Sequence, residues 1–115
     1  MVGILKVETN STYAQDGSIR YVDRRRGKDG ERGAFQMTKI AFDQVKQRGE
    51  QFWMIETDPL FAELMAKRYL LWLYNRTADK DWHTAIQQYN AGPRKHSTEY
   101  LAKVVRYANK GGSRF

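Results

Sequence analysis

One long amphipathic helix limits most strongly what this chain can fold into. It is predicted to begin at Asp58-Pro59, because aspartate can cap the first amides of a helix and proline suits the first helical position. Apolar residues recur at helical spacing from there to about Asn75 and form a broad face that needs other helices to cover it. The chain is therefore predicted to be mainly α. The face consists of Leu60, Phe61, Leu64, Met65, Tyr69, Leu70, Trp72 and Leu73.

Four shorter helices are predicted around it, which gives about five helices in all. Apolar periodicity places them at about residues 1–8, 38–48, 82–90 and 97–109. The supporting signals are Gly49 as a C-cap, Asp81 as an N-cap, and a buried stripe of Ile40, Ala41 and Val45 in the second of them.

Residues 10–33 depart from this helical pattern. Glycines and charged side chains dominate the segment, and only Ser18 to Val22 has the character of a strand, so we expect a long basic loop with one small hairpin. Residues 110–115 are expected to form a flexible basic tail. A length of 115 residues suits one hydrophobic core, and no repeat divides it, so residues 1–115 are predicted to form a single domain.

The composition narrows the range of partners. A formal net charge of +7 predicts attraction to a polyanion such as nucleic acid or the bacterial cell wall, and charge alone does not choose between them. The absence of cysteine excludes disulfides, and His83 and His96 lack neighbouring ligands, so no metal site is expected. No apolar run approaches the roughly 20 residues of a membrane helix. No signal peptide is apparent, so either the protein is not exported by that route or a leader has been removed.

Three short stretches carry candidate functional side chains. Glu8 ends an apolar helix, where burial would raise the pKa of its carboxyl and suit it to general-acid chemistry; the alternative is a solvated glutamate. In "RGAFQMT", Gly33 permits close backbone approach and Gln36 can face a cleft, or the two are an ordinary loop glycine and surface amide. In "YNAGP", Tyr89 and Asn90 stand at a helix end, where Asn90 could instead serve as a cap.

The three tryptophans are candidates for stacking on sugars. Trp72 and Trp82 fall on apolar helical faces and are expected in the core. Trp53 lies in the connection before the long helix and is the freer of the three.

Taken in order, these stretches resemble the catalytic domain of the soluble lytic transglycosylases, a lysozyme-like family related to goose-type lysozyme. That family has a glutamate followed by serine, then Gly-Leu-Met-Gln, then Tyr-Asn-Ala-Gly-Pro, then a Tyr-Val-x-Lys-Val helix. Here "KVETN", "GAFQM", "YNAGP" and "YLAKV" stand in the same order and span most of the chain. Thr9 replaces the serine, Ala34 and Phe35 replace Leu-Met, and the segment between Glu8 and Gly33 is longer than is usual.

The resemblance implies a lysozyme-like fold and cleavage of the β-1,4 bond between N-acetylmuramic acid and N-acetylglucosamine in peptidoglycan. Glu8 would act as general acid and then as base toward the C6 hydroxyl, which gives 1,6-anhydro ends. No metal, cofactor or nucleic acid is implied, and a monomer is expected. Tyr89 would orient the acid, and Tyr100 would lie behind the substrate-contacting residues, where it would either pack or support one of them. Substrate contacts are implied for Thr9, Gly33, Phe35, Gln36, Tyr89, Asn90 and Ala91.

Three alternatives stay open. A hydrolytic muramidase on the same fold would use a loop aspartate, Asp16, Asp23 or Asp29, to position a water. A nucleic-acid-binding helical module would account for the charge and the arginine run, and a non-catalytic wall-binding domain would account for the charge alone. The small size and missing leader resemble phage-encoded enzymes that act in the periplasm or wall after release by a holin or within the virion.

Overall fold

The computed structural model describes residues 1–110, which form six helices and one two-stranded sheet. A mainly helical single globule with a small hairpin is therefore confirmed, with one helix more than the five expected. The predicted tail at 110–115 lies outside the described residues, except that residue 110 ends the last helix. The elements are α1 (Val2–Thr9), β1 (Thr12–Tyr13), β2 (Ile19–Arg20), α2 (Lys39–Val45), α3 (Met54–Thr57), α4 (Pro59–Arg76), α5 (Trp82–Ala91) and α6 (Thr98–Lys110).

Helix α4 is the centre of the fold, as its sequence predicts. The Asp58 carboxylate accepts hydrogen bonds from the backbone amides of Leu60 and Phe61 at 3.1 and 3.2 Å, which confirms the predicted start. The helix packs against α2, α3 and α5. Its buried face is narrower than predicted, because Leu60 and Leu64 are exposed. Within residues 1–110, neither α4 nor any other helix has the length and apolarity needed to cross a bilayer.

Helices α1 and α6, from opposite ends of the chain, lie directly against each other. A side chain at Gly3 would overlap the backbone carbonyl of Val104, so glycine at this position allows the two backbones to meet. Ile4 and Leu5 are fully buried in the same contact region of the core. The packing brings the C-terminal end of α1, which carries Glu8, next to α6.

Helix α2 is shorter than predicted, and a different side of it faces the core. It ends at Val45 instead of about Arg48, and Gly49 is not its C-cap but lies with φ +89° in a turn beyond it. The side chain of Ile40 is 86% exposed, and Ala41 and Phe42 face the core instead. The Thr38 hydroxyl caps the backbone amide of Ala41 at 3.1 Å, so the helix begins where the sequence predicts. Its rotation follows from packing against α4, where Phe42 meets the ring of Phe61 and Ile40 is left outside the contact.

The predicted hairpin within residues 10–33 is present and is tied to α4. Strands β1 and β2 pair antiparallel, with Tyr13 opposite Ile19, around a turn in which Asp16 accepts hydrogen bonds from Ser18. The Tyr13 hydroxyl donates a hydrogen bond to the carboxylate of Glu63 in α4. The hairpin is therefore attached to α4 through Tyr13. One turn of helix, α3, was not predicted, since four residues carry no useful periodicity.

Candidate active site

A cleft of about 460 Å³ joins the three sequence stretches that carry the predicted site, and we call it the Glu8 cleft. Glu8 comes from the end of α1, Gln36 from the loop before α2, and Tyr89, Asn90 and Ala91 from the end of α5. Glu8 and the end of α5 are more than 80 positions apart in the sequence, yet both line one surface with Gln36. Its other lining residues are Lys28, Asp29, Glu31, Met37, Thr38, Ile40, Ala41, Gln44, Tyr69, Trp72, Gly92 and Pro93.

Glu8 lies half-buried at the last turn of α1, which Asn10 ends in the left-handed conformation with φ 55°. Burial raises the pKa of the Glu8 carboxyl to about 7, and the negative charge of Glu31 acts in the same direction. A hydrogen bond from Tyr100 and the charge of Arg25 oppose this rise. Because burial outweighs both, a large fraction of Glu8 is protonated near neutral pH, and the solvated alternative does not apply.

Tyr100 supports the acid from behind the cleft, as the sequence interpretation allowed, and it does so by direct contact. Its hydroxyl donates a hydrogen bond of 2.9 Å to Oε2 of Glu8, and it does not line the cleft itself. The ring is 6% exposed, and burial raises the pKa of Tyr100 well above its ordinary value, so the hydroxyl stays a donor. The contact depends on the packing of α1 against α6, which no local motif specifies.

Tyr89 has a different partner from the one predicted. Its hydroxyl donates to the backbone carbonyl of Phe35 at 2.8 Å and does not hydrogen-bond Glu8. Phe35 itself is 1% exposed and belongs to the core, so its side chain does not form the floor of the Glu8 cleft. Tyr89 therefore holds the loop before α2 in place and offers the cleft its ring rather than its hydroxyl.

The loop from Gly33 to Gln36 has the close backbone contact that its glycine predicts. Gly33 has φ +83°, and a Cβ atom there would lie 2.7 Å from the carbonyl oxygen of Ile55. Gln36, at φ 48°, donates from Nε2 to the carbonyl oxygens of Gly33 and Arg25, both at 3.0 Å. Both hydrogens of this amide therefore stabilise the loop, and Gln36 has none left to donate to a ligand.

Thr9 lies behind the Glu8 cleft and not in its lining. Its side chain is 1% exposed, and its hydroxyl is 2.8 Å from both the Ala34 carbonyl oxygen and the Ser11 hydroxyl. Together with Gly33 and Phe35, it forms part of the support for the cleft rather than a substrate contact. Asn90 and Ala91 do line the cleft, and Asn90 is exposed there.

An aromatic wall completes the cleft, and the sequence interpretation did not identify it. Tyr69 and Trp72 of α4 are nearly parallel, with ring centroids 6.1 Å apart, and Tyr69 also contacts the ring of Tyr89. Trp72 was expected in the core but is half-buried and lines the cleft. Trp82 was also expected in the core, yet it is 38% exposed outside this cleft, where it stacks on Tyr74.

Two more carboxylates line the Glu8 cleft besides Glu8, and only one of them, Asp29, is among the three aspartates that the hydrolytic alternative considered. Asp16 belongs to the hairpin turn and Asp23 pairs with Arg25 at 3.4 Å, so both lie outside the lining, while Asp29 is in it. Glu31 also lines the cleft, and its Oε1 accepts a hydrogen bond of 3.1 Å from the backbone amide of Asp29. One glutamate in a run of charged loop residues gives no sequence signal that would single it out.

The cleft thus combines a carboxyl group with a raised pKa, Glu8, two further carboxylate side chains, Asp29 and Glu31, and an aromatic wall. Among residues 1–110, no three histidine or acidic side chains are grouped closely enough to hold a metal ion. Comparisons with protein-family models, with curated proteins and with solved structures give no match. The chemistry available to these side chains is therefore the basis for assigning a function.

Proposed function

We propose that the protein cleaves the β-1,4 bond between N-acetylmuramic acid and N-acetylglucosamine in peptidoglycan, as a lytic transglycosylase with a lysozyme-like fold. One observation carries the proposal: Glu8 has a pKa of about 7 within a cleft that has an aromatic wall. A general acid must hold its proton near the working pH and release it to the leaving group, and a carboxyl titrating near 7 meets both needs.

The reaction needs only one carboxyl group. Glu8 donates its proton to the glycosidic oxygen as the bond from that oxygen to C1 of the muramoyl residue breaks. The acetamido group of the same sugar supports the positive charge that develops at C1, as in other substrate-assisted glycosidases. The Glu8 carboxylate then takes the proton of the C6 hydroxyl, whose oxygen bonds to C1. The product is a 1,6-anhydro end, no water is consumed, and Glu8 regains its proton.

The remaining side chains have supporting roles in this proposal. Tyr100 fixes the orientation of the Glu8 carboxyl, and the ring of Trp72 offers an apolar surface to one face of a sugar. Asn90, exposed at the end of α5, lines the cleft with an amide that can bond hydroxyl or N-acetyl groups. The net charge of +7 holds the enzyme on the anionic wall, which affects binding and encounter rate rather than chemistry.

A hydrolytic muramidase is the second candidate, and Glu31 is the observation that favours it. Hydrolysis with two carboxyl groups requires a base that removes a proton from water while the acid protonates the leaving oxygen. Glu31 lines the same cleft as Glu8 and is held by the Asp29 amide, so it can act as that base. The product would then be a reducing N-acetylmuramic acid end.

Digestion of purified sacculi followed by mass spectrometry tests both candidates. Anhydro ends weigh one water less than reducing ends, so wild-type products containing only reducing ends would contradict the transglycosylase. Glu8→Gln is expected to abolish cleavage with the fold intact, and Glu99→Gln, an exposed glutamate on α6, serves as the matched control. If Glu31→Gln abolishes the formation of reducing ends, Glu31 is the base of a hydrolase.

The same digestion separates the non-enzymatic alternatives. A nucleic-acid-binding module would bind DNA in a salt-sensitive manner and leave the turbidity of sacculi unchanged. A wall-binding domain would sediment with sacculi without releasing fragments. Substantial cleavage by Glu8→Gln would show that Glu8 is not the acid.

A further inference from the structure

A second cleft, of about 670 Å³, continues the Glu8 cleft, and we call it the Trp53 cleft. The two share Asp29, Thr38 and Ile40 in their linings, so they meet along the loop before α2 and the first turn of that helix. Each volume lies within the roughly 300–1,000 Å³ that ligand sites occupy. The two clefts therefore offer one continuous surface to a polymer.

The Trp53 cleft has apolar side chains that the core does not use. Trp53 is 57% exposed and Ile40 is 86% exposed, and both line this cleft. Phe52 lies partly buried in the lining next to them and packs against the core. A group of exposed apolar side chains rimmed by polar ones is typical of a binding site, whereas single exposed apolar residues are ordinary surface.

The charged side chains of the Trp53 cleft balance one another and do not select a strongly charged ligand. Asp43 bonds Lys39 at 2.7 Å and Lys46 at 3.3 Å, and Glu50 bonds Arg68 at 2.6 Å, so these charged groups are satisfied within the protein. The lining as a whole contains three acidic and three basic side chains, which are Asp29, Asp43, Glu50, Arg32, Lys39 and Lys46. A densely charged polymer such as nucleic acid would gain little from such a balanced surface, whereas a sugar chain can use apolar platforms and scattered polar groups.

We infer that the Trp53 cleft binds the same glycan strand beyond the sugars held at Glu8, with Trp53 as a stacking platform. The inference rests on the proposed function and extends it, because it makes a long strand the preferred substrate. A short oligosaccharide would fill the Glu8 cleft and leave Trp53 uncovered. A long strand would cover both surfaces and gain the contact with the indole ring.

Cleavage of long and short substrates measures this contact. We expect wild-type kcat/KM to be higher for long glycan strands than for a peptidoglycan tetrasaccharide, and Trp53→Ala to lower the long-to-short ratio. Covering about 50 Å² of apolar ring surface corresponds to roughly a tenfold change in that ratio. Trp82→Ala is the control, since Trp82 is another exposed tryptophan outside both clefts and should leave the ratio unchanged.

A binding assay separates this inference from the proposed reaction. Glu8→Gln protein is mixed with long, uncrosslinked glycan strands, and tryptophan fluorescence is followed with and without the additional Trp53→Ala substitution. We expect about tenfold weaker binding when Trp53 is absent. If wild-type protein cleaves nothing but binding depends on Trp53, the proposed reaction fails, whereas binding of a glycan strand in the Trp53 cleft stands.

Two results would overturn the inference. One is that Trp53→Ala binds long strands as tightly as the parent protein. The other is that Trp53→Ala lowers cleavage of the tetrasaccharide and of long strands by the same factor, while circular dichroism and the melting temperature stay unchanged. That outcome would place Trp53 in the Glu8 cleft itself and not in an extension of it.

Discussion

Replacing Glu8 with glutamine is expected to abolish cleavage and, at neutral to alkaline pH, to make the protein more stable. Burial raises the pKa of this carboxyl from 4.5 to about 7 in the folded protein. The folded state therefore holds a proton that the unfolded chain releases, and the stability from this group is lost as the pH rises through 7. Glutamine has nearly the same shape but cannot ionise, so it avoids that loss.

The size of the effect follows from the same shift. A rise in pKa from 4.5 to about 7 corresponds to about 3 kcal/mol of free energy of unfolding at pH 8. Glu8 is only half-buried, so screening by solvent reduces the gain, and we expect about 2 kcal/mol. Glutamine can still accept the hydrogen bond from Tyr100, so little of the gain is offset. For a domain of this size, the melting temperature should rise by roughly 5–10 °C.

The assay is denaturant unfolding of wild type and Glu8→Gln at pH 4 and pH 8. The difference in stability between the two proteins should be small at pH 4, where both side chains are neutral, and should approach about 2 kcal/mol at pH 8. Glu99→Gln controls for the loss of a carboxylate and should show no such change between the two pH values. A stability difference that is the same at both pH values, or Glu8→Gln being the less stable at pH 8, would refute the raised pKa.

Further substitutions test the residues around the acid. Tyr100→Phe removes a hydrogen bond that lowers the pKa of Glu8, so the alkaline limb of the pH–rate profile should move to higher pH; an unmoved limb would contradict the contact. Gly33→Ala should cost about 2 kcal/mol or more of unfolding free energy, whereas Gly30→Ala, with a similar φ of +84° but open space around it, should cost about 1 kcal/mol. Tyr89→Phe leaves a buried carbonyl without its donor and should cost about 1–2 kcal/mol in thermal or chemical unfolding without moving the pH profile.

Local signals in the sequence determined much of the fold. The caps at Asp58 and Asp81 each bond amides that lie two or three positions ahead, so the sequence alone places these helix starts. The error in α2 lies beyond such local signals. Periodicity suggested that Ile40 would be buried, but packing of α2 against α4 buries Phe42 instead, and Ile40 points to solvent.

The sequence predicted which residues line the candidate site better than it predicted the contacts that these residues make with distant parts of the chain. Glu8, Gln36 and Asn90 were identified because each lies in a recognisable stretch, and they do line one cleft. The hydrogen-bond partners of Tyr100 and Tyr89 were not identified from the sequence. Tyr100 bonds Glu8, which lies 92 positions away, and Tyr89 bonds Phe35, which lies 54 positions away. Such contacts depend on how whole helices pack, and a motif carries no information about that.

The geometry around Glu8 also determines which of its oxygens holds the proton. Oε2 accepts the hydrogen bond from Tyr100, and burial keeps that tyrosine protonated, so Oε2 is already the acceptor of a proton held by another group. A neutral carboxyl carries its hydrogen on one oxygen only, which leaves Oε1 as the favoured site. Within residues 1–110, the structure shows no hydrogen bond to Oε1. The proposed transglycosylase reaction requires this hydrogen to be on the oxygen that meets the glycosidic bond.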